Sequence, residues 1–212
     1  LIEDAAQALG SRWAGKHLGT FGDIGSFSFS APKVITMGQG GALVTDNDEL
    51  ATRLRRLKDF GRENGDDIHN EWGWNFKFTD IQAVIGIEQM KKLPWRVARK
   101  KEIWKKYSEL LAGIPGVQMV VTNLEDTSPW FIEIFLDNPD GLAAHLKEQG
   151  IGSRKIYPAI HSQKIYRDAY ASKSFPETER AAARGLWLPS SSKLTDAEIQ
   201  EVAKAVKSFY SK

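Results

Sequence analysis

Lys33 lies between a strand-like segment and a glycine-rich turn, where its ordinary role would be that of a solvated loop lysine. Lys33 follows the alternating segment GSFSFS (residues 25–30) and precedes the glycine-rich turn GQGG (residues 38–41). The alternation predicts a strand, and Pro32 ends it because proline cannot donate to a ladder. In such half-buried surroundings an ammonium group is costly to desolvate unless it is paired, neutralised or used in chemistry.

Two further side chains could share a site with Lys33. Asp4 closes the predicted strand LIED (residues 1–4), where its ordinary role is to cap the segment that follows. Ser28 lies on the polar face of the strand before the lysine, where its ordinary role is that of a surface hydroxyl. Each residue alone is best explained by its ordinary role. Because ligands bind at the carboxyl ends of strands in open α/β sheets, the combination favours a small-molecule site.

The three groups match what pyridoxal phosphate requires. This cofactor needs a lysine to form an imine, an acid to keep its pyridine nitrogen protonated, and donors for its phosphate. Hydroxyl and backbone N–H groups near a helix start can hold the phosphate dianion. The combination of Asp4, Ser28 and Lys33 therefore favours a site for this cofactor, in which Lys33 is neutralised as an imine.

The composition and the other motifs exclude or disfavour several kinds of site. The chain has no cysteine, which excludes disulfides, thiolate metal sites, cysteine nucleophiles and protein-ligated iron–sulfur clusters. No two of its four histidines have metal-ligand spacing, and no serine lies in a G-x-S-x-G turn. The GQGG turn fits neither the P-loop nor the dinucleotide fingerprint. The net charge of +2 does not indicate nucleic acid, and no apolar run reaches the about 18 residues that span a bilayer.

The first half of the chain has the pattern of an α/β domain. LIED predicts a short buried strand, because its first two residues are typical of a strand interior. GSFSFS and ALVT (residues 42–45) predict two more strands. Three helices follow: residues 46–61, a helix from the T-x-x-Q capping box at Thr79 and Gln82 through Met90, and a long helix after Pro94.

The second half, beyond IPG (residues 114–116), predicts a smaller α+β domain. Strands are predicted at VQMVV, WFIEIFL and IGSRKIY, and a helix at DGLAAHLKEQG. A last helix starts at Thr195, within a T-x-x-E capping box. Its predicted apolar face consists of Ile199, Val202, Val206 and Phe209.

A set of longer motifs extends over nearly the whole chain. IEDAAQA is followed by GDIGSFSF, then by a lysine, G-x-G-G and a strand. GWNFKFTDIQAVIGIEQMKKL, GIGSRKIYPAIHSQKIY and LWLPSSSKLTDAEI follow in that order. The ordered set resembles the sugar aminotransferases of the DegT/DnrJ/EryC1/StrS family, which are pyridoxal-phosphate enzymes with the aspartate aminotransferase fold that act mostly on nucleotide-linked keto-deoxysugars.

The resemblance implies a fold and a division of the chain. The fold is that of the three-layer α/β pyridoxal-phosphate transferases of fold type I. Residues 1–93 would be the C-terminal part of the large cofactor-binding domain, residues 94–115 a connecting helix and residues 116–212 a small α+β domain. Family members extend well upstream of E-D-A-A-Q-A, so we expect the chain to be a piece of a longer protein. If these 212 residues were the whole polypeptide, we would expect weak cofactor binding or none, because the upstream strands and phosphate donors would be absent.

The resemblance also assigns the cofactor site. Lys33 would be the Schiff-base lysine and proton shuttle, and Asp4 would pair with the pyridine nitrogen. Gln7 would contact the phenolic oxygen of the cofactor, and Ser28 would bind its phosphate. Asn75 would reach the phosphate of the neighbouring subunit's cofactor, which makes a homodimer part of the active site.

For the substrate, the resemblance implies that Tyr157 and His161 face the sugar. The sequence departs from the family pattern at Gln39, where most relatives have glutamate, and at Lys77, which replaces an arginine and puts a bidentate contact there in doubt. Three tryptophans could also line the substrate site, although core packing is the commoner use of such residues: Trp72, Trp74 and Trp130.

The function implied is transfer of an amino group from L-glutamate to a keto-deoxysugar, most often nucleotide-linked, for polysaccharide or amino-sugar synthesis in the cytoplasm. Lys33 disfavours the dehydratase branch that has histidine there, and the lack of cysteine disfavours the iron–sulfur branch. Two alternatives stay open. One is a non-catalytic regulator that binds the cofactor or a sugar nucleotide, and the other is a truncated structural or interaction domain.

Overall fold

The computed structural model describes residues 1–63 and 65–211, which form two compact units. The first unit contains residues 1–98 and 123–130, and the second contains the remaining residues. The helix predicted as a connector contributes residues to both units, and the domain limits drawn from the sequence stay a prediction. In the described part of the chain no helix is both long enough and apolar enough to cross a bilayer.

The first unit has a three-stranded mixed sheet that carries the predicted site strands. The strands of this unit are β1 (Ile2–Asp4), β2 (Arg12–Trp13), β3 (Lys16–His17), β4 (Ile24–Ser28) and β5 (Gly41–Val44). The order in the sheet is β1-β4-β5, with β1 parallel to β4 and β4 antiparallel to β5. A short antiparallel hairpin of β2 and β3 lies between β1 and β4 in the sequence.

The strand at LIED is confirmed, but its predicted burial is wrong for the described chain. The side chains of Leu1 and Ile2 are 76% and 71% exposed. In the described part of the chain β1 is an edge strand that pairs with β4, and the side chains of Leu1 and Ile2 face solvent there. An apolar strand sequence therefore identified the strand without identifying what covers it.

Two helices of the first unit begin at an N-cap residue, and the cap of the second was predicted from the sequence. Helix α1 (Asp48–Lys58) is capped by Asn47, whose side chain accepts a hydrogen bond from the N–H of Leu50 at 3.0 Å. Helix α2 (Asp80–Lys91) has the predicted capping box of Thr79 and Gln82 and ends one residue beyond Met90. Helix α3 (Leu93–Leu111) starts one residue before Pro94.

The second unit has a four-stranded antiparallel sheet of order β6-β7-β9-β8. The three predicted strand segments contain β6, β7 and β8, whereas β9 was not predicted as a strand. The elements are β6 (Gln118–Met119), β7 (Ile132–Phe135), α4 (Pro139–Glu148), β8 (Arg154–Lys155), a 3-10 turn (Ile160–Ser162), α5 (Pro176–Arg184), β9 (Gly185–Leu188) and α6 (Asp196–Tyr210).

The core of the second unit is formed where α3, α4 and α6 cover this sheet. The Tyr107 ring of α3 is fully buried, and its hydroxyl donates to the carbonyl oxygen of Pro189 at 2.9 Å. Helix α6 has the predicted capping box of Thr195 and Glu198. Of the four residues predicted for its apolar face, three are buried: Ile199, Val202 and Val206. The fourth, Phe209, is partly buried against the same core.

Candidate active site

Lys33 lies in the loop between β4 and β5, on a backbone that is held at several points. Its N–H donates to the carbonyl oxygen of Ser30 at 3.1 Å. Further along the loop, the N–H of Met37 and the hydroxyl of Thr36 both donate to the carbonyl oxygen of Phe29, at 3.0 and 3.1 Å. The loop is therefore a fixed support for the lysine, consistent with a site residue.

The amine of Lys33 is half-buried against an aromatic ring. Its Nζ lies 3.9 Å from the ring centroid of Trp130. Burial lowers the pKa of the Lys33 amine, and the negative charge of Asp4 opposes that lowering. A lowered pKa increases the fraction of free amine, which is the nucleophilic form. Lys33 has the environment of a reactive lysine, with a carboxylate close enough to act on its charge.

Asp4 and Glu3 are adjacent in β1, and their side chains form different kinds of hydrogen bond. The carboxylate of Glu3 accepts backbone hydrogen bonds from Gly19, Phe21 and Gly22, at 2.8, 2.5 and 2.6 Å. The adjacent Asp4 side chain accepts a local hydrogen bond, from the N–H of Ala6 at 3.1 Å. Because successive side chains of a strand point to opposite faces, Glu3 anchors the following loop while Asp4 is left exposed for another partner.

Ser28 is the last residue of β4, and it belongs to a small hydroxyl cluster. Its hydroxyl donates to the hydroxyl of Ser30 at 3.1 Å and accepts from the N–H of Ser30 at 3.3 Å. Gln7 is exposed in the turn that follows β1, where Ala8 donates to the carbonyl of Ala5 at 2.9 Å. The predicted phosphate donor thus has a second hydroxyl beside it that the sequence motifs did not single out.

Asn75 lies in an extended segment of the first unit and is exposed. It forms an isolated antiparallel bridge with Asp59, next to the C-terminus of α1. Lys77, the departure from the family pattern, forms an ion pair with that same Asp59. The other departure, Gln39, uses its backbone, because its carbonyl accepts a hydrogen bond from Gln82 Nε2 at 3.1 Å. The Lys77 side chain therefore has a partner within the first unit, whereas the contact at position 39 does not involve the Gln39 side chain.

Tyr157 and His161 line the same pocket of the second unit. Glu179 lines this pocket as well. His161 Nε2 lies 3.1 Å from the carboxylate of Glu179, and the Tyr157 ring packs edge-on against Trp187 with centroids 4.9 Å apart. The guanidinium of Arg154 lies 5.1 Å from the Tyr157 ring centroid. The pocket therefore offers an aromatic wall, a histidine–carboxylate pair and a cation.

The sequence did not single out Arg154, Glu179 or Ser30, because each is an ordinary polar residue. For Ser30, the alternation of the predicted segment GSFSFS places it on the same face as Ser28, and that was the signal available, although β4 itself ends at Ser28. The contact of Trp130 with Lys33 spans 97 positions of the chain, and no local pattern predicts such a pair.

The comparisons with known proteins agree over almost the full chain. Residues 1–207 match the DegT/DnrJ/EryC1/StrS aminotransferase family. An uncharacterized protein of Methanocaldococcus jannaschii is 35% identical, with the match covering 100% of this chain and 60% of that protein. GDP-perosamine synthase of Vibrio cholerae is 32% identical, with coverage of 99% and 59%.

Solved structures show the same fold. A structure of DesI in the presence of its TDP-sugar product superposes with a TM-score of 0.89 at 30% identity, covering 100% of this chain and 56% of that one. The chain thus spans about 60% or less of the length of these relatives. The mixed α/β fold expected from the resemblance is confirmed. The chain belongs to the DegT/DnrJ/EryC1/StrS aminotransferase family, whose enzymes depend on pyridoxal phosphate.

Proposed function

We propose that this chain carries the lysine and the sugar-facing residues of an aminotransferase that acts on a keto-deoxysugar. The observation that supports this most strongly is the environment of Lys33. Its amine is half-buried, its pKa is lowered by burial, and the charge of Asp4 acts on it from the end of the neighbouring β1. A solvated loop lysine would have none of these properties.

The donor set fits pyridoxal phosphate. The first unit offers a primary amine at Lys33, a carboxylate with one local hydrogen bond at Asp4, and paired hydroxyls at Ser28 and Ser30. These are the groups needed to attach an aldehyde, protonate a pyridine and bind a phosphate. When bound, the cofactor accepts the electron pair released at the substrate carbon, which lets an amino group move between two carbonyl partners.

Each protein group has its own role in the proposed reaction. Lys33 Nζ attaches the cofactor and moves a proton to and from the substrate carbon. The Asp4 carboxylate stabilises a protonated pyridine nitrogen, and Gln7 contacts the phenolic oxygen. Ser28 binds the phosphate. Asn75 reaches the phosphate in a second copy of the chain, so that the active form is a homodimer.

For the substrate, the proposal assigns the sugar to the pocket with Tyr157 and His161. Two relatives support a nucleotide-linked sugar, since one is a GDP-perosamine synthase and the other was solved with its TDP-sugar product. A hydroxylated sugar suits the polar groups of this pocket, because His161 and Glu179 can each bond a hydroxyl. L-glutamate is proposed as the amino donor by analogy with the family.

The proposal is tested by amino transfer itself. The protein is incubated with pyridoxal phosphate, L-glutamate and a GDP- or TDP-linked keto-deoxysugar, and 2-oxoglutarate and the amino sugar are quantified together. We expect the two products in equal amounts, none with Lys33→Ala, and unchanged turnover with Lys16→Ala. Lys16 is a matched control because its ammonium also lies near an aromatic ring, 4.9 Å from that of Phe21. Transfer by Lys33→Ala at the wild-type rate would contradict the proposal.

A further inference from the structure

Trp130 makes two contacts with the backbone and side chain that present the amine of Lys33. Its ring centroid lies 3.9 Å from Lys33 Nζ, and its indole Nε1–H donates to the carbonyl oxygen of Pro32 at 2.7 Å. Both partners are consecutive residues of the loop after β4. A single indole therefore fixes the residue before the lysine and the far end of the lysine side chain.

The indole is held in place by a different part of the first unit. In the segment before it, the Asp126 carbonyl accepts the N–H of Arg12 at 2.8 Å. The N–H of Ser128 donates to the hydroxyl of Ser11 at 2.9 Å, and both serines are buried. This segment is thereby joined to the loop that follows Asp4 and Gln7. The position of Trp130 does not depend on the Lys33 loop alone.

The contact is the closest of its kind among the described residues. The other lysine ammonium groups near a ring lie 4.8 to 5.5 Å from its centroid: Lys16 near Phe21, Lys77 near Phe60 and Lys173 near Tyr170. Tryptophan also has the most favourable face for a cation, and partial burial strengthens the attraction. The Lys33–Trp130 pair combines the shortest distance with the strongest ring.

We infer that Trp130 is a positioning residue for Lys33, which holds the free ammonium at the site against its indole face until the cofactor aldehyde reacts with the amine. This inference rests on the proposed function for its role in the reaction. The face of an aromatic ring attracts a cation and not a neutral amine. The contact therefore stabilises the waiting lysine and weakens once its nitrogen has lost the charge.

If the indole face of Trp130 attracts the ammonium of Lys33, it raises the pKa of that amine. Burial lowers that pKa, and the charge of Asp4 on β1 opposes the lowering. An aromatic face that attracts the ammonium form should oppose the lowering as well. Trp130→Leu keeps an apolar side chain beside the amine and removes the π face. We therefore expect the pKa of Lys33 to fall in Trp130→Leu, by about half a pH unit for a contact of the usual strength.

The experiment is competitive acetylation of the cofactor-free chain across neutral to alkaline pH, with each lysine quantified by peptide mass mapping. The midpoint of the labelling profile reports the pKa, separately from the accessibility of the amine, and exposed Lys164 serves as the internal reference. At neutral pH, Trp130→Leu should increase the free-amine fraction of Lys33 about two- to fivefold. Trp130→Phe keeps a ring but loses the N–H that donates to Pro32. The free-amine fraction of Lys33 in this variant should lie between that of the wild type and that of Trp130→Leu.

The matched control is Phe21→Leu, which removes the ring beside Lys16 and should leave the Lys33 midpoint unchanged. A midpoint for Lys33 that stays the same or rises in both Trp130 variants overturns the inference. The proposed function has its own readout in the same samples, because added pyridoxal phosphate must protect Lys33 from acetylation. Protection of other lysines but not of Lys33 in the wild type, with the midpoints still in the expected order, would overturn the proposed function and leave the positioning role standing.

Discussion

The charge of Asp4 acts on the amine of Lys33: burial lowers the pKa of that amine, and the carboxylate opposes the lowering. They come from different elements, Asp4 from the end of β1 and Lys33 from the loop after β4. Parallel pairing of these two strands places Asp4 opposite Ser26. The coupling links the two groups that the proposed cofactor site needs most.

Asp4→Asn tests this coupling. Removing the negative charge removes the influence that raises the pKa of Lys33, so that pKa should fall below its wild-type value. The difference should shrink at high salt, because a pair with an exposed member is screened over roughly 10 Å at 0.1 M ionic strength. Competitive acetylation of Lys33 measures both effects. Asp48→Asn, in the first turn of α1, is the control and should change neither.

Glu3 predicts an acid limit to the stability of the first unit. Backbone hydrogen bonds from Gly22, Gly19 and Phe21 lower its pKa in the folded chain. A carboxylate with a lowered folded pKa contributes stability above its unfolded pKa, and this contribution is lost as the pH falls through the folded pKa. We expect Glu3→Gln to be less stable than wild type at neutral pH, with the difference shrinking in acid.

Denaturant unfolding at neutral and acidic pH measures that difference. Glu49→Gln is the matched control. Glu49 is exposed in the first turn of α1, whereas Glu3 accepts hydrogen bonds from the backbone of a loop. A gap between Glu3→Gln and wild type that stays constant with pH would show that the loop is not held by the carboxylate.

Gly25 is required by a close backbone approach in β4. A Cβ placed on it would lie 1.8 Å from the carbonyl oxygen of Gly19, a contact that backbone movement must relieve. We expect Gly25→Ala to destabilise the chain by about 1–3 kcal/mol or more. Gly152→Ala is the control, because a Cβ there meets nothing within 4 Å. Thermal or denaturant unfolding of the two variants measures the contrast, and equal stability would contradict the packing described for β4.

Lys100 predicts a rise in stability at alkaline pH. It is buried in α3, and its ammonium donates to the carbonyl and hydroxyl oxygens of Ser190 at 2.8 and 3.0 Å. Burial lowers the pKa of Lys100 to about 8, and the charge of Glu133 opposes this lowering. Between that pKa and the usual value of 10.5, the unfolded chain binds more protons than the folded chain, so stability increases with pH.

The Lys100 contribution is isolated by comparison with Lys100→Met. From about pH 8 to about pH 10.5, the unfolding free energy of wild type should gain on the order of 3 kcal/mol relative to this variant. Lys105→Met, at an exposed position of the same helix, should track the wild type. Parallel curves for wild type and Lys100→Met would contradict the lowered pKa.

The elements that the sequence predicted well are those set by local chemistry. Both capping boxes, at Thr79 and Thr195, involve residues three apart, so their geometry is written in the sequence itself. Strand β9 was missed because GLWL is a short, fully buried run without alternation, and such runs do not identify their own secondary structure.

In the candidate site, too, local sequence identifies some residues, whereas their contacts depend on tertiary structure. Lys33, Asp4 and Ser28 were identified because each ends or follows a predicted strand within a motif, and their roles stay predictions. What could not be predicted is which residues meet them. The packing of Trp130 on Lys33 depends on the return of a distant segment to the first unit, and that return is set by tertiary structure.

The central claim is that Lys33 is the attachment point of pyridoxal phosphate. The most direct test is borohydride reduction of the protein with an excess of pyridoxal phosphate, followed by intact-mass measurement and peptide mapping. We predict the mass of one reduced cofactor on the peptide with Lys33 in wild type and Lys16→Ala, and none at that position in Lys33→Ala. A cofactor mass found only on other lysines, with none on the peptide that contains Lys33, would contradict the account.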